Sequence, residues 1–408
     1  MNSKKLHVVI LASPGLGHLM PVLVIGNHLV THHDVKVTVL VIKTSISGPE
    51  SQILSLASGP DVEILEIPPV DISHLVDANT KLVARLRIMS REALPAVRSA
   101  IAGMKDRPDV LIGDLFSTEA LAVAAEFKMP KYMYVASNAW FTALLAYTPF
   151  LHEQIDGQYI DQTEPLKIPG CNSVRPEDVV DPMVDRNDQQ YNEYLRMGRE
   201  LTQADGILIN TWEDLEPVTL EAFRGNDFLK MPVYPIGPFT RPVEKNNGLK
   251  SELSKWLDMQ PAESVLYVSF GSGGTLSAEQ LTELAWGLEL SQQRFIWVVR
   301  PPAECSDGSY LTSCNGPDGS PDFFPEGFLD RTKCIGQIVL PTKKVVCRME
   351  IEEMVRTIME SKEGRVIRDK AKKLKVSGEY ATKVGGSSYN AMNDFLQDAN
   401  MRLNSNHA

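Results

Sequence analysis

Short apolar runs alternate with longer amphipathic stretches along most of this chain, and the alternation predicts its architecture. Residues 6–11 form an apolar run of strand length, followed by Ser13-Pro14-Gly15-Leu16-Gly17-His18. A helical pattern covers about 19–32, with Pro21 tolerable in its first turn. Further strand-like runs lie at 35–42, 61–67, 109–113, 132–135 and 206–210, and helical patterns cover about 79–104 and 118–127. Continuous apolar strands separated by helices predict a parallel sheet covered on both faces.

A polar stretch at 240–250, containing Asn246-Asn247-Gly248, reads as a linker. Beyond it a strand at 264–270 precedes a helix whose start carries a capping pattern, Ser277 with Gln280. Leu281, Leu284, Ala285 and Leu288 share one face of that helix. Strands follow at 295–299 and 335–340, with a Ser/Gly/Pro/Asp-rich loop at 305–322 between them. Helical patterns fill 350–360, 364–376 and 387–396. The expected division is a first domain at 1–240, a linker at 241–252, a second domain at 253–380, and a terminal helix and tail at 381–408 packing back on the first. The first domain supports six or seven strands. The second supports three, which is thin for a sheet needing two covered faces.

Length, composition and charge narrow the class. The 408 residues suffice for two domains, and 43% hydrophobic with 23% charged residues is a globular composition. A net charge of −11 argues against nucleic acid or an anionic membrane as the main partner. The five cysteines (Cys171, Cys305, Cys314, Cys334 and Cys347) are odd in number and lack paired metal spacing. Reduced thiols in a cytoplasmic protein are therefore expected, and a Cys305–Cys314 bridge has only proximity in sequence behind it. The apolar start is too short for a signal peptide, and no run reaches transmembrane length. A monomer without a metal is expected.

Three groups of residues sit where chemistry is usual. Gly15-Leu16-Gly17-His18 lies where a strand meets a helix, but Met20 occupies the third glycine position of a dinucleotide fingerprint. His18 stands outside the carboxyl end of the first strand, either as a reactive imidazole or as a ring satisfied by nearby backbone. Asp114 follows another strand at the same edge. It would either orient that imidazole as a base–orienter pair or cap the next helix. A second glycine-rich turn, with Gly271, Ser272 and Gly273, offers backbone N–H groups and a hydroxyl to a pyrophosphate, or is a plain tight turn.

Together these residues resemble plant family-1 UDP-glycosyltransferases, most closely those that glucosylate hydroquinone, other small phenols or the anthocyanidin 3-hydroxyl. The matching stretches are Ser13-Pro14-Gly15-Leu16-Gly17-His18-Leu19-Met20-Pro21, Asp114-Leu115-Phe116, Pro169-Gly170-Cys171, residues 206–211, residues 234–238, Lys255-Trp256-Leu257-Asp258, residues 264–275 and Gly385-Gly386-Ser387-Ser388. They follow in family order over nearly the whole chain. The resemblance implies an α/β protein of two Rossmann-like domains, the GT-B fold, with the acceptor mainly on the first and the UDP-sugar on the second. It implies His18 as the base that deprotonates the acceptor hydroxyl, supported by Asp114, with inversion at the anomeric carbon. It places Ser272, Gly271 and Gly273 at the donor diphosphate, and His18 and Asn138 at the acceptor. The UDP-sugar is a co-substrate, and no cofactor or metal is implied.

One departure changes the expectation. The family carries a box that begins Trp-Ala-Pro-Gln, passes through His-Cys-Gly-Trp-Asn-Ser and ends in Glu/Asp-Gln. Here no Trp follows Trp297, and His407 is the only His after His152. The second domain is therefore expected to be truncated and unstable or rearranged. Two functions follow. One is inverting glucosyl transfer from UDP-glucose to a small phenolic or flavonoid hydroxyl, with activity weakened or lost. The other is a non-catalytic remnant that binds a phenolic ligand or a partner glycosyltransferase. The acceptor loops, 75–82 and 139–155, give apolar shape without identifying the acceptor.

Overall fold

The computed structural model describes residues 5–43, 62–77, 79–225, 228–240, 252–270, 276–299, 324–325, 327–332, 336–340 and 348–407. The chain divides into two compact units, Met1–Arg241 with Val376–Ala408, and Pro242–Lys375.

The first unit is built on a seven-stranded sheet. Its strands are β1 (His7–Ala12), β2 (Lys36–Ile42), β3 (Val62–Ile67), β4 (Val110–Asp114), β5 (Lys131–Val135), β6 (Gly206–Ile209) and β7 (Val233–Pro235). They lie in the order β3-β2-β1-β4-β5-β6-β7, and every ladder is parallel. Parallel strands need crossovers, so both faces carry helices and the strands are apolar throughout. β1 shows this most clearly, because all six of its residues are buried. Val8, Ile10 and Ala12 enter one core with Leu19, Val22 and Leu23 of the helix Leu16–His33. Val9 and Leu11 enter the opposite core with Val97 and Ile101 of the helix Leu94–Gly103. The two-residue period of a strand divides them in this way. The strand order reverses between β1 and β4, the arrangement that opens a crevice outside the carboxyl ends of those two strands.

A third core joins β5 and β6 to the helices Ala139–Gln154 and Gln189–Leu201. Gly198 lets these two helices touch, since a Cβ there would lie 2.5 Å from Leu145 O. The last helix, Ser387–His407, buries Ala391, Met392, Phe395 and Ala399 in the same core as β1. Phe395 meets Tyr132 edge-on at 4.8 Å and Tyr234 at 5.9 Å. Tyr132 Oη donates to Asp398 Oδ2 at 2.5 Å, and Arg402 Nε donates to the same oxygen at 2.8 Å.

The second unit contains β8 (Val265–Val268), β9 (Arg294–Val299) and β10 (Gly336–Leu340), all parallel, in the order β10-β9-β8. Ser277 Oγ accepts from Gln280 N at 3.2 Å, so the capping pattern opens the helix Ala278–Ser291 as its spacing predicts. Leu281, Leu284, Ala285 and Leu288 join Phe295, Trp297, Val299, Phe328, Ile351 and Val355 in one core. β8 contrasts with β1. Among the described residues it pairs on one side only, none of its residues is fully buried, and Tyr267 is 66% exposed.

Several elements differ from their sequence pattern for local reasons. The single helix expected over 79–104 is two, Leu82–Glu92 and Leu94–Gly103, with the break just before Pro95. Proline lacks the N–H that would continue the ladder, and its ring crowds the preceding turn. The first helix starts at Leu16 rather than near 19, which puts Pro21 in its second turn. The last helix continues to His407, past the apolar pattern, through the Asp398–Arg402 pair. No helix among the described residues is long and apolar enough to cross a membrane.

The terminal helix supplies core rather than decoration, so Phe395→Ala is expected to cost about 3–5 kcal/mol. Urea unfolding followed by circular dichroism measures this. A loss below about 1 kcal/mol would show that the helix is not part of the sheet's core.

Candidate active site

The glycine turn places the imidazole. Gly15 has φ +102°, a conformation that side-chain-bearing residues rarely adopt, and caps the helix Leu16–His33. Its carbonyl accepts from His18 N at 3.1 Å and Leu19 N at 3.0 Å, closing the first turn with His18 inside it. β4 places the carboxylate. It pairs with β1 in the register Leu11↔Gly113 and ends at Asp114. Both side chains therefore belong to the β1/β4 strand ends, where the sheet order reverses.

They meet there. His18 Nδ1 lies 2.8 Å from Asp114 Oδ2. A carboxylate only accepts, so the hydrogen sits on Nδ1 and Nε2 keeps its lone pair. Asp114 is fully buried, whereas the His18 side chain is 25% exposed. Burial pushes the His18 pKa down, but the charge of Asp114 and its hydrogen bond push it up by more, and the net value is raised above 6.5. Asp114 makes no side-chain cap to the short 3₁₀ turn Leu115–Ser117 that follows it. Of the two readings open in the sequence, the side chain takes the pairing with the imidazole.

The surroundings are mostly closed. Phe116 packs edge-on against the His18 ring, with centroids 4.7 Å apart. Phe116 N donates to Ser13 Oγ at 3.1 Å, tying the turn after Asp114 to the loop before His18. Among the described residues the buried Asp114 Oδ1 meets no hydrogen-bond partner, and neither does the hydroxyl of Tyr134, which stands beside Asp114 in register on β5. Burial and the nearby carboxylate both raise the Tyr134 pKa, so the phenol stays protonated.

Behind the turn lies a buried ionic cluster that sequence reasoning missed. Arg87, on the helix Leu82–Glu92, is fully buried. It donates to Glu119 Oε2 at 2.5 Å and Oε1 at 2.7 Å, to Glu200 Oε2 at 2.8 Å, to Thr118 Oγ1 at 2.7 Å and to Phe116 O at 3.1 Å. Burial raises the Glu119 pKa against the pull of Arg87. Burial also acts on Glu200, but hydrogen bonds from Thr118 and Arg196 and the charge of Arg87 leave its pKa lowered. A sequence signal existed, since Arg87 stands between Leu86 and Ile88 on a helix that buries Ala84, Leu86 and Ile88.

Of the other residues singled out in the sequence, Asn138 is exposed and its Oδ1 accepts from Phe141 N at 2.8 Å, capping the helix Ala139–Gln154. Glu216 reinforces the same helix end by accepting from Ala139 N at 2.8 Å and Trp140 N at 2.9 Å. Gly271, Ser272 and Gly273 lie outside the described residues, as do Cys305, Cys314, Cys334 and Cys347. Cys171 is a free thiol that burial pushes up to about 12. Among the described residues no group of three or more His, Cys, Asp or Glu is placed to hold a metal ion.

Comparison with known proteins adds sequence and fold relatives. No family model matches the chain. Anthocyanidin 3-O-glucosyltransferase 5 of Manihot esculenta is 44% identical over 463 residues, covering 96% of this chain and 95% of that protein. The solved structure of TcCGT1 in complex with UDP is 36% identical, with a TM-score of 0.87 over 98% of this chain and 100% of that one. The structure of Phytolacca americana UGT2 complexed with UDP-2fluoro-glucose and pterostilbene is 30% identical, with a TM-score of 0.83 over 97% and 99%.

The pairing has a direct pH signature. The folded value of His18 lies above its unfolded 6.5, so its stabilisation is complete below 6.5 and disappears as pH rises through the folded value. Wild type is therefore expected to exceed Asp114→Asn in stability by more near pH 6 than near pH 9. Denaturant titrations at both pH values test this, and an equal gap would separate His18 from Asp114.

Proposed function

The chain belongs to the plant family-1 UDP-glycosyltransferases, and from that premise we propose that it transfers glucose from UDP-glucose to a hydroxyl of a small phenolic or flavonoid acceptor, with inversion. The observation that carries this is the His18–Asp114 contact at 2.8 Å. His18 Nε2 removes the proton from the acceptor hydroxyl as its oxygen attacks the anomeric carbon. The glycosidic bond forms, the bond to the diphosphate breaks, and UDP leaves with the electron pair. Asp114 holds the Nδ1–H tautomer and stabilises the imidazolium. A raised His18 pKa moves the base toward the phenol it must deprotonate, since a free phenol titrates near ~10. The acceptor class is supported by the Manihot relative, an anthocyanidin 3-O-glucosyltransferase, and by the pterostilbene in the Phytolacca structure.

Within this reading the acceptor belongs to residues 1–240, with the tail 381–408 as part of the same support, and the donor to 253–380. Asn138, an exposed residue whose Oδ1 is engaged as a helix cap, is assigned to the acceptor in this reading. Gly271, Ser272 and Gly273 contact the donor diphosphate.

We read the donor side of this chain as incomplete. After Trp297 no Trp follows, and His407 is the sole later His, so the family's box is missing its defining residues. The Manihot alignment spans 463 residues, longer than the 408 of this chain, which supports that reading without locating a gap. Charge-assisted hydrogen bonds to phosphate contribute about 1.5–3 kcal/mol each, so losing several weakens donor binding by roughly three orders of magnitude. That absence favours a second reading, a non-catalytic remnant that keeps the phenolic site or joins a partner glycosyltransferase.

Calorimetric titration with UDP, alongside titration with a phenol such as hydroquinone, separates the two. Micromolar UDP binding with glucosyl transfer that His18→Ala reduces at least about a hundredfold establishes the transferase. Phenol binding without UDP binding establishes the remnant. Transfer unaffected by His18→Ala would remove the base assignment.

A further inference from the structure

The buried guanidinium of Arg87 has no part in proton transfer, yet the turn that carries the site is fastened to it. Asp114 is followed immediately by Leu115–Ser117, a 3₁₀ turn with no side-chain cap. Both backbone groups of Phe116 in that turn are tied by side chains. Its N–H donates to Ser13 Oγ at 3.1 Å, and its carbonyl accepts from Arg87 Nη1 at 3.1 Å. The next ordered group, Thr118 Oγ1, accepts from Arg87 at 2.7 Å and donates to Glu200 Oε2 at 2.6 Å. The Phe116 ring in turn packs against the imidazole of His18.

We propose that Arg87 is a positioning residue for the His18–Asp114 pair, acting through Phe116 and Thr118. A planar fork is what the arrangement requires, because its two terminal nitrogens reach acceptors on Phe116, Thr118, Glu119 and Glu200 around one guanidinium. A lysine ammonium keeps the charge but cannot span them. With the fork gone, the turn relaxes and the Asp114 carboxylate moves off Nδ1. The inference rests on the reading of His18 as a base supported by Asp114, but its test does not need glucosyl transfer.

The test is the titration of His18 followed through its ring nitrogens by ¹H–¹⁵N spectroscopy, in wild type, Arg87→Lys and Arg98→Lys. Arg98 makes an exposed pair with Glu126 and serves as the control. Burial alone pulls His18 below 6.5, and only Asp114 opposes it. In Arg87→Lys the midpoint is therefore expected to fall by at least about half a pH unit, and the Nδ1–H signal to exchange faster. Arg98→Lys leaves both unchanged. A purely architectural role for Arg87 lowers the melting temperature and leaves the His18 midpoint within about 0.1 of wild type, which overturns the proposal. If Arg87→Lys does not fold, the charge-balanced double variant Arg87→Gln/Glu119→Gln is titrated with the same two outcomes. A shifted midpoint in a protein that transfers no glucose leaves this inference standing and removes only the transferase reading.

Discussion

A carboxylate buried without any exposed surface must be compensated, and at Asp114 the compensation is one imidazole. The cost of taking an ion out of water is several kcal/mol even after relaxation. Oδ2 meets His18 at 2.8 Å, and Oδ1 has no partner among the described residues. Its neighbour in register is Tyr134, a protonated phenol. The imidazole is thus held in one tautomer, with its proton affinity raised. The arrangement exists because β1 and β4 are adjacent at the point where the sheet order reverses, so that the glycine turn after one and the carboxylate ending the other converge.

Polar groups are buried around this pair in a graded way. Arg87 pairs with Glu119 and Glu200 inside the fold, and Arg91, Arg196 and Glu193 complete the charge balance at the half-exposed edge. Such clusters add little net stability compared with apolar packing of the same volume, but breaking one member is costly. Their use lies in geometry. A guanidinium engaged on several sides fixes the backbone it touches more tightly than apolar side chains, which slide over one another at small cost.

The two units illustrate how completeness of a sheet governs burial. In the first, β1 has a neighbour on each side and helices on each face, and no residue of it is exposed. In the second, β8 has a neighbour on one side among the described residues and exposes Tyr267. The described core of the second unit is nonetheless well filled around Trp297, with Phe324 tilted and Phe328 edge-on against it and Arg331 and Arg348 flanking Trp286.

Much of this was legible in the chain itself. The alternation of apolar runs with amphipathic stretches determined a parallel α/β sheet, because burial on both faces leaves a continuous apolar strand and a one-sided helix, and both are local periodicities. Motif position marked His18 and Asp114 for the same reason, since each stands at a strand end. What only the tertiary structure decided is which polar groups meet. His18 and Asp114 are 96 residues apart, Arg87 and Glu200 are 113 apart, and Ser13 and Phe116 are 103 apart. Charges leave no periodic trace in a sequence, and a lone arginine on an apolar helix face announces burial without naming its partner. Only the strand order, which brings distant segments to one edge, fixes whether a carboxylate caps its own helix or neutralises a ring from another part of the chain.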